Sequence, residues 1–164
     1  MDKVKLFQNE VLGQGFDIDG WFGWQCWAGY AKYCLWLGVP FANCTDSGYV
    51  KDLWEQRFYN GILDHFDEVE IMQGGEVAIF METAVTPVSH VAIFVGDIDG
   101  SQGWFLGQNQ AGTPGPNGGA SFDLAIYPYS ALYPTAFRPK GVSVFQSPIG
   151  VVPSPLCRVA DMPP

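Results

Sequence analysis

With 164 residues, the chain is long enough for one domain that buries most of its apolar surface. A composition of 48% hydrophobic and 15% charged residues excludes a disordered polymer or a coiled coil, and 20 Gly with 12 Pro call for short elements joined by many turns. Eight Lys and Arg against 17 Asp and Glu leave a net charge of −9, which excludes general nucleic-acid binding and charge-driven docking on anionic membranes or polymers.

No run approaches the ~20 apolar residues of a membrane-spanning helix, so membrane insertion is not expected. The opening stretch MDKVKLFQNEVLGQG is broken by Gln8, Asn9 and Glu10 and lacks the apolar run of a signal peptide. Cys26, Cys34, Cys44 and Cys157 form no CxxC pair. Their spacing favours four free thiols in a reducing compartment over a zinc site or a disulfide framework.

Along the chain, Val4, Phe7, Val11 and Leu12 recur at helical spacing and predict a short amphipathic helix over 2–12. Gly13, Gly15 and Gly20 then mark a loop that carries Asp17 and Asp19. QCWAGYAKYCLWL, from Gln25 to Leu37, reads as a buried helix, and Ser47 caps a third over GYVKDLWEQRF, closing near Asn60 and Gly61. After Gly75 the pattern changes to short β-rich runs at 76–81, 89–95, 104–108, 122–127 and 136–138. Asp97–Gly100 is a hairpin turn between the second and third of these, and Gly112–Gly119 is a flexible loop. Helices first and antiparallel strands afterwards predict an α+β fold. The domain is expected to span 1–142, and the Pro-rich stretch 143–164 reads equally as an interdomain linker or a ragged terminus.

Few residues carry reactive chemistry. His65 stands among acidic residues and reads as a surface histidine, while His90 opens an apolar strand. Cys26 begins the buried helix, where the positive end of the dipole favours a thiolate, and an adjacent imidazole would stabilise it. Spacing alone favours a core thiol there, as at Cys34 and Cys44. Asn109 follows the strand after His90, so a hairpin brings the two together and the amide could accept the second imidazole N–H; a simple turn at Asn109 and Gln110 explains the same residues.

Taken together, these segments resemble the CHAP family, the cysteine- and histidine-dependent amidohydrolases/peptidases. DIDGWFGWQC, from Asp17 to Cys26, resembles the family's opening motif; GEVAIFM and SHVAIFVG resemble its paired strands, FLGQNQ its Glu-Gln-Asn segment and AFRPK its closing strand. The ordered set covers roughly residues 10 to 140. Four positions depart from the family's usual residues: Gly107 for Glu, Phe22 for Tyr, Ser89 for Gly, and Ala28 for an acidic residue.

The resemblance implies a papain-like α+β fold, with N-terminal helices packed on an antiparallel sheet. It implies Cys26 as nucleophile, His90 as acid and base, Asn109 holding the ring in the absence of a carboxylate at Gly107, and the Cys26 amide with Gln25 at the oxyanion. Trp24 and Trp104, with Trp21, are the expected groove aromatics. No cofactor is required for the chemistry, but calcium is expected on Asp17, Asp19 and the carbonyls of Trp21 and Gly23, with Ala28 removing one ligand. The implied activity is peptidoglycan hydrolysis, as amidase or endopeptidase, by a phage endolysin lysing Gram-positive hosts. It would be made in the host cytoplasm, released through a holin-type pore, and partnered by a C-terminal wall-binding domain outside this chain. The competing expectations are a weak or non-catalytic wall-binding module and a papain-like hydrolase or deamidase acting on a protein.

Overall fold

The computed structural model describes Asp2–Gly141. The proposed linker 143–164, and Cys157 with it, lies outside the described residues.

Helix α1 (Lys3–Val11) is capped by Asp2, whose Oδ1 accepts the Val4 N–H at 3.1 Å, and it buries Val4, Phe7 and Val11. Helix α2 (Cys26–Leu37) is apolar on nearly every side because it lies between the sheet and the other helical segments. Gly29 permits its close approach, since a Cβ there would lie 3.2 Å from Phe122 Cζ and 3.3 Å from Gln108 Cγ. Gly38, with φ of 74°, ends the helix in the left-handed conformation.

The third predicted helix shrinks to one turn, α3 (Asp52–Glu55). The buried Asp52 carboxylate accepts from the Asp46 and Gly48 amides and from Ser47 Oγ, so the preceding chain wraps around it as a loop. Ser47 accepts the Tyr49 N–H within that loop. The short α4 (Ile62–His65) and strand β1 (Phe66–Val69) are unanticipated, because FDEV buries little beyond Phe66 and shows no apolar alternation.

Strands β2 (Val77–Phe80), β3 (His90–Asp97), β4 (Gln102–Gly107), β5 (Asp123–Pro128) and β6 (Ala136–Pro139) follow the predicted runs. With β1 they form one antiparallel sheet in the order β1-β6-β2-β3-β4-β5. Alternation gives it two buried faces. Val77, Ile79, Val91, Ile93 and Leu106 join the helices, while Ala78, Phe80, Ala92, Phe94 and Phe105 form an aromatic layer with Tyr127 and Tyr129. The architecture is α+β, as the order of elements predicts, and α2 packs chiefly on β3.

Among the cysteines, Cys26 and Cys34 are buried free thiols, but Cys44 is disulfide-bonded. The expectation of four free thiols fails at Cys44, because spacing along a chain does not report which loops approach in space. No helix among the described residues is long and apolar enough to cross a membrane.

Candidate active site

Cys26 stands at the first position of α2, after a loop fastened at several points. Trp24 donates its N–H to Gly118 O at 3.0 Å and accepts from Ala120 N–H at 3.1 Å, which straps the 112–120 loop to the segment entering the helix. The Trp24 ring lies against Gly15 and Gly115, where any Cβ would collide with it. Gln108 Nε2 donates to Gln25 O at 3.0 Å, and the same carbonyl accepts the Gly29 N–H that opens the helix. The chain therefore delivers Cys26 at a fixed helix start, where the first-turn amides and the dipole favour negative charge.

His90 is the first residue of β3 and is only 5% exposed. Ser89 before it adopts φ of 64°, a left-handed backbone uncommon for a residue with a side chain. The imidazole is walled by Phe80 and Tyr127, each with its ring centre 5.5 Å away. Burial lowers its pKa to about 4, against the opposing hydrogen bond from Gln110, so the ring is neutral at physiological pH. The wall residue Tyr127 is itself perturbed. Burial pushes that phenol up to about 12, and the charges of Cys26 and Asp123 add to the shift. Tyr127 therefore faces the imidazole directly and lies within electrostatic reach of the Cys26 thiol.

The residues after β4 differ from expectation. His90 Nε2 lies 2.9 Å from Gln110 Oε1. Asn109 Nδ2 instead donates to Gln25 Oε1 at 2.8 Å, while Gln25 Nε2 donates to Phe22 O at 2.8 Å. Asn109 sits at φ of 57°, and this left-handed turn sends 109 toward the start of α2 and 110 toward β3. Gln110 thus carries the amide oxygen hydrogen-bonded to the imidazole, where the resemblance implies Asn109, and Asn109 is hydrogen-bonded to Gln25. The glycine at 107 was the available signal, since it leaves space for a neighbouring amide.

Trp104 does not join the site. It pairs with Gly96 toward the far end of β3, and alternation turns it away from Phe105, on whose face His90 stands. Trp24 is adjacent to Cys26 but half-buried between glycines, whereas Trp21 is 77% exposed. His65 is half-buried at the end of α4.

Asp17 Oδ1 accepts the Gly20 N–H and Asp19 Oδ1 accepts the Trp21 N–H, both at 2.9 Å. Burial holds the Asp19 carboxyl above its ordinary value; the Trp21 N–H opposes this, and the adjacent Asp17 carboxylate adds to it. Two hard carboxylates forced together in this way fit a divalent cation, which would relieve both burial and repulsion. Gly23 O already accepts the Gln25 N–H at 3.0 Å, though a carbonyl has a second lone pair. Ala28 is buried and offers no ligand, and no cluster of three or more His, Cys, Asp or Glu occurs among the described residues.

No family model matches the chain. It is 62% identical over 141 residues to the "D-alanyl-L-alanine endopeptidase" of Streptococcus phage B30, an alignment covering 85% of this chain and 31% of that protein. The chain thus spans less than a third of that relative's length. Among solved structures it is similar to the crystal structure of the wild-type endolysin LysIME-EF1, with a TM-score of 0.58 and 18% identity over 84% of this chain and 62% of that one. That likeness shows a shared α+β fold.

Proposed function

We propose that the chain is a CHAP-type cysteine endopeptidase that hydrolyses an amide bond of the peptidoglycan stem peptide or cross-bridge. The carrying observation is the 62% identity to a phage endopeptidase across the segment that holds the buried Cys26 and His90. The relative's name specifies a D-alanyl-L-alanine bond, so an endopeptidase reading is favoured over an amidase one.

The neutral imidazole of His90 takes the Cys26 proton, and the thiolate adds to the carbonyl carbon. The oxyanion forms near the Cys26 amide at the helix start. The imidazolium then protonates the leaving amine as the C–N bond breaks, leaving a thioester. His90 next removes a proton from water, which attacks that thioester, and the proton returns to Cys26 as the carboxylic product leaves. Gln25, held by Asn109 and Phe22, shapes the oxyanion side, and Trp24 supports the groove wall next to Cys26.

Calcium on Asp17 and Asp19, with Trp21 and Gly23 carbonyls or water completing it, would stiffen the loop that enters Cys26. Because the catalytic domain is acidic, affinity for the wall would come from a separate module of a longer protein. Synthesis in a bacterial host's cytoplasm with holin-type release fits a phage lysin.

Purified Gram-positive sacculi provide the test. The chain should release fragments whose new termini identify the cleaved bond, and Cys26→Ala should remain folded and lose activity by about 100-fold or more. Undiminished lysis by Cys26→Ala would refute the assignment.

A further inference from the structure

We infer that Gln110 is the positioning residue for His90, and that it fixes which imidazole nitrogen carries the proton. The inference rests on the hydrolase reading of Cys26 and His90, and gives the ring-orienting role to Gln110 where the family resemblance implies Asn109.

The orientation of the Gln110 amide follows from its surroundings. Its Nε2 faces Phe105 O at 3.3 Å, Asp123 O at 3.1 Å and Asp123 Oδ1 at 3.1 Å. All three are acceptors, so a flipped amide would set its own oxygen against three others. Oε1 is therefore the atom 2.9 Å from His90 Nε2, and an amide oxygen can only accept. The proton of the neutral ring is held on Nε2, which leaves the lone pair on Nδ1 to receive the thiol proton. The titratable groups around the ring are Cys26 from α2, Tyr127 from β5 and, behind Gln110, Asp123.

Gly107 belongs to the same device. A Cβ at 107 would lie 2.9 Å from Gln110 Oε1 and 3.1 Å from Ala92 Cβ. A glutamate at 107 is therefore incompatible with Gln110 in this position. The acceptor in this chain is the amide of Gln110, braced from behind by Asp123. A neutral acceptor fixes the tautomer and draws the buried ring toward its cation less than a carboxylate would.

The test uses the complete chain and two measurements that need no wall substrate: the tautomer and titration of His90 by nitrogen-15 NMR, and the rate of Cys26 alkylation by iodoacetamide mapped by peptide mass spectrometry. The wild-type chain should show one Nε2–H tautomer at neutral pH. Gln110→Met, of similar length but without an acceptor at that point, should mix the tautomers and slow Cys26 alkylation roughly tenfold. Gln110→Asn keeps the amide but ends one methylene short of Nε2, and should mix the tautomers in the same way. A single Nε2–H tautomer with unchanged alkylation in Gln110→Met would overturn the inference. Should Gln110→Met not fold, a single Nε2–H tautomer with unchanged alkylation in Gln110→Asn would overturn it alone. Failure of the hydrolase reading looks different: the expected tautomer and a reactive Cys26, in a protein that leaves sacculi intact.

Discussion

Phe16 and Gln108 exchange two hydrogen bonds. The Phe16 N–H donates to Gln108 Oε1 at 2.7 Å, and Gln108 Nε2 donates back to Phe16 O at 3.0 Å. A side chain here does the work of a neighbouring strand, because the loop before Cys26 has none. Nε2 also reaches Gln25 O, so one amide ties the loop that carries Asp17 and Asp19, the start of α2 and the end of β4.

Gln108 is fully buried, so its removal takes partners from the half-buried Phe16 N–H and C=O and from the buried Gln25 carbonyl. Gln108→Leu should lose about 3 kcal/mol of stability, read from urea denaturation, and should lower activity further than its folded fraction explains. A loss below about 1 kcal/mol would mean that the loop finds other partners.

His90 sets an acid limit on stability. Its pKa is about 4 when folded and about 6.5 when unfolded, so between these values the unfolded chain binds more protons. The contribution is fully present above pH 6.5 and is lost as pH falls to about 4, amounting to about 3 kcal/mol. Thermal melts across this window should show His90→Gln losing less stability than wild type as the pH drops. Parallel curves would place the acid sensitivity elsewhere.

Calcium should act through Asp17 and Asp19. Added Ca²⁺ should raise the melting temperature and EGTA should reverse the gain, with a shift governed by the ratio of free ion to dissociation constant. Asp19→Asn should abolish the response while leaving the ion-free protein no less stable, because Asp19 is held above its ordinary pKa by burial and by Asp17. Full activity in excess EGTA, with no thermal shift, would remove calcium from the proposal.

The sequence carries the long α2, the hairpin strands and the order of elements clearly, because their apolar periods are strong. It misses β1, whose FDEV has one buried anchor, and overextends the third helix, whose Asp52 ties a loop instead. Cys26 and His90 are legible through a motif. Asn109 and Gln110 are adjacent amides of similar chemistry, and only the backbone turn at Asn109 decides which one meets the imidazole. Residue type alone puts Trp104 in the groove, but the pleat and its register turn it to the other face.

The site draws on Phe16, Cys26, His90, Gln110 and Asp123, a span covering most of the described chain. Each comes from a different segment, and the β5 edge supplies both the brace behind Gln110 and the Tyr127 wall. If that edge strand undocks, tautomer control and the pocket wall are lost in the same event. On the proposed hydrolase reading, catalysis is then an all-or-none reporter of folding: residual turnover in a partly denatured sample counts intact molecules, and does not grade half-formed ones.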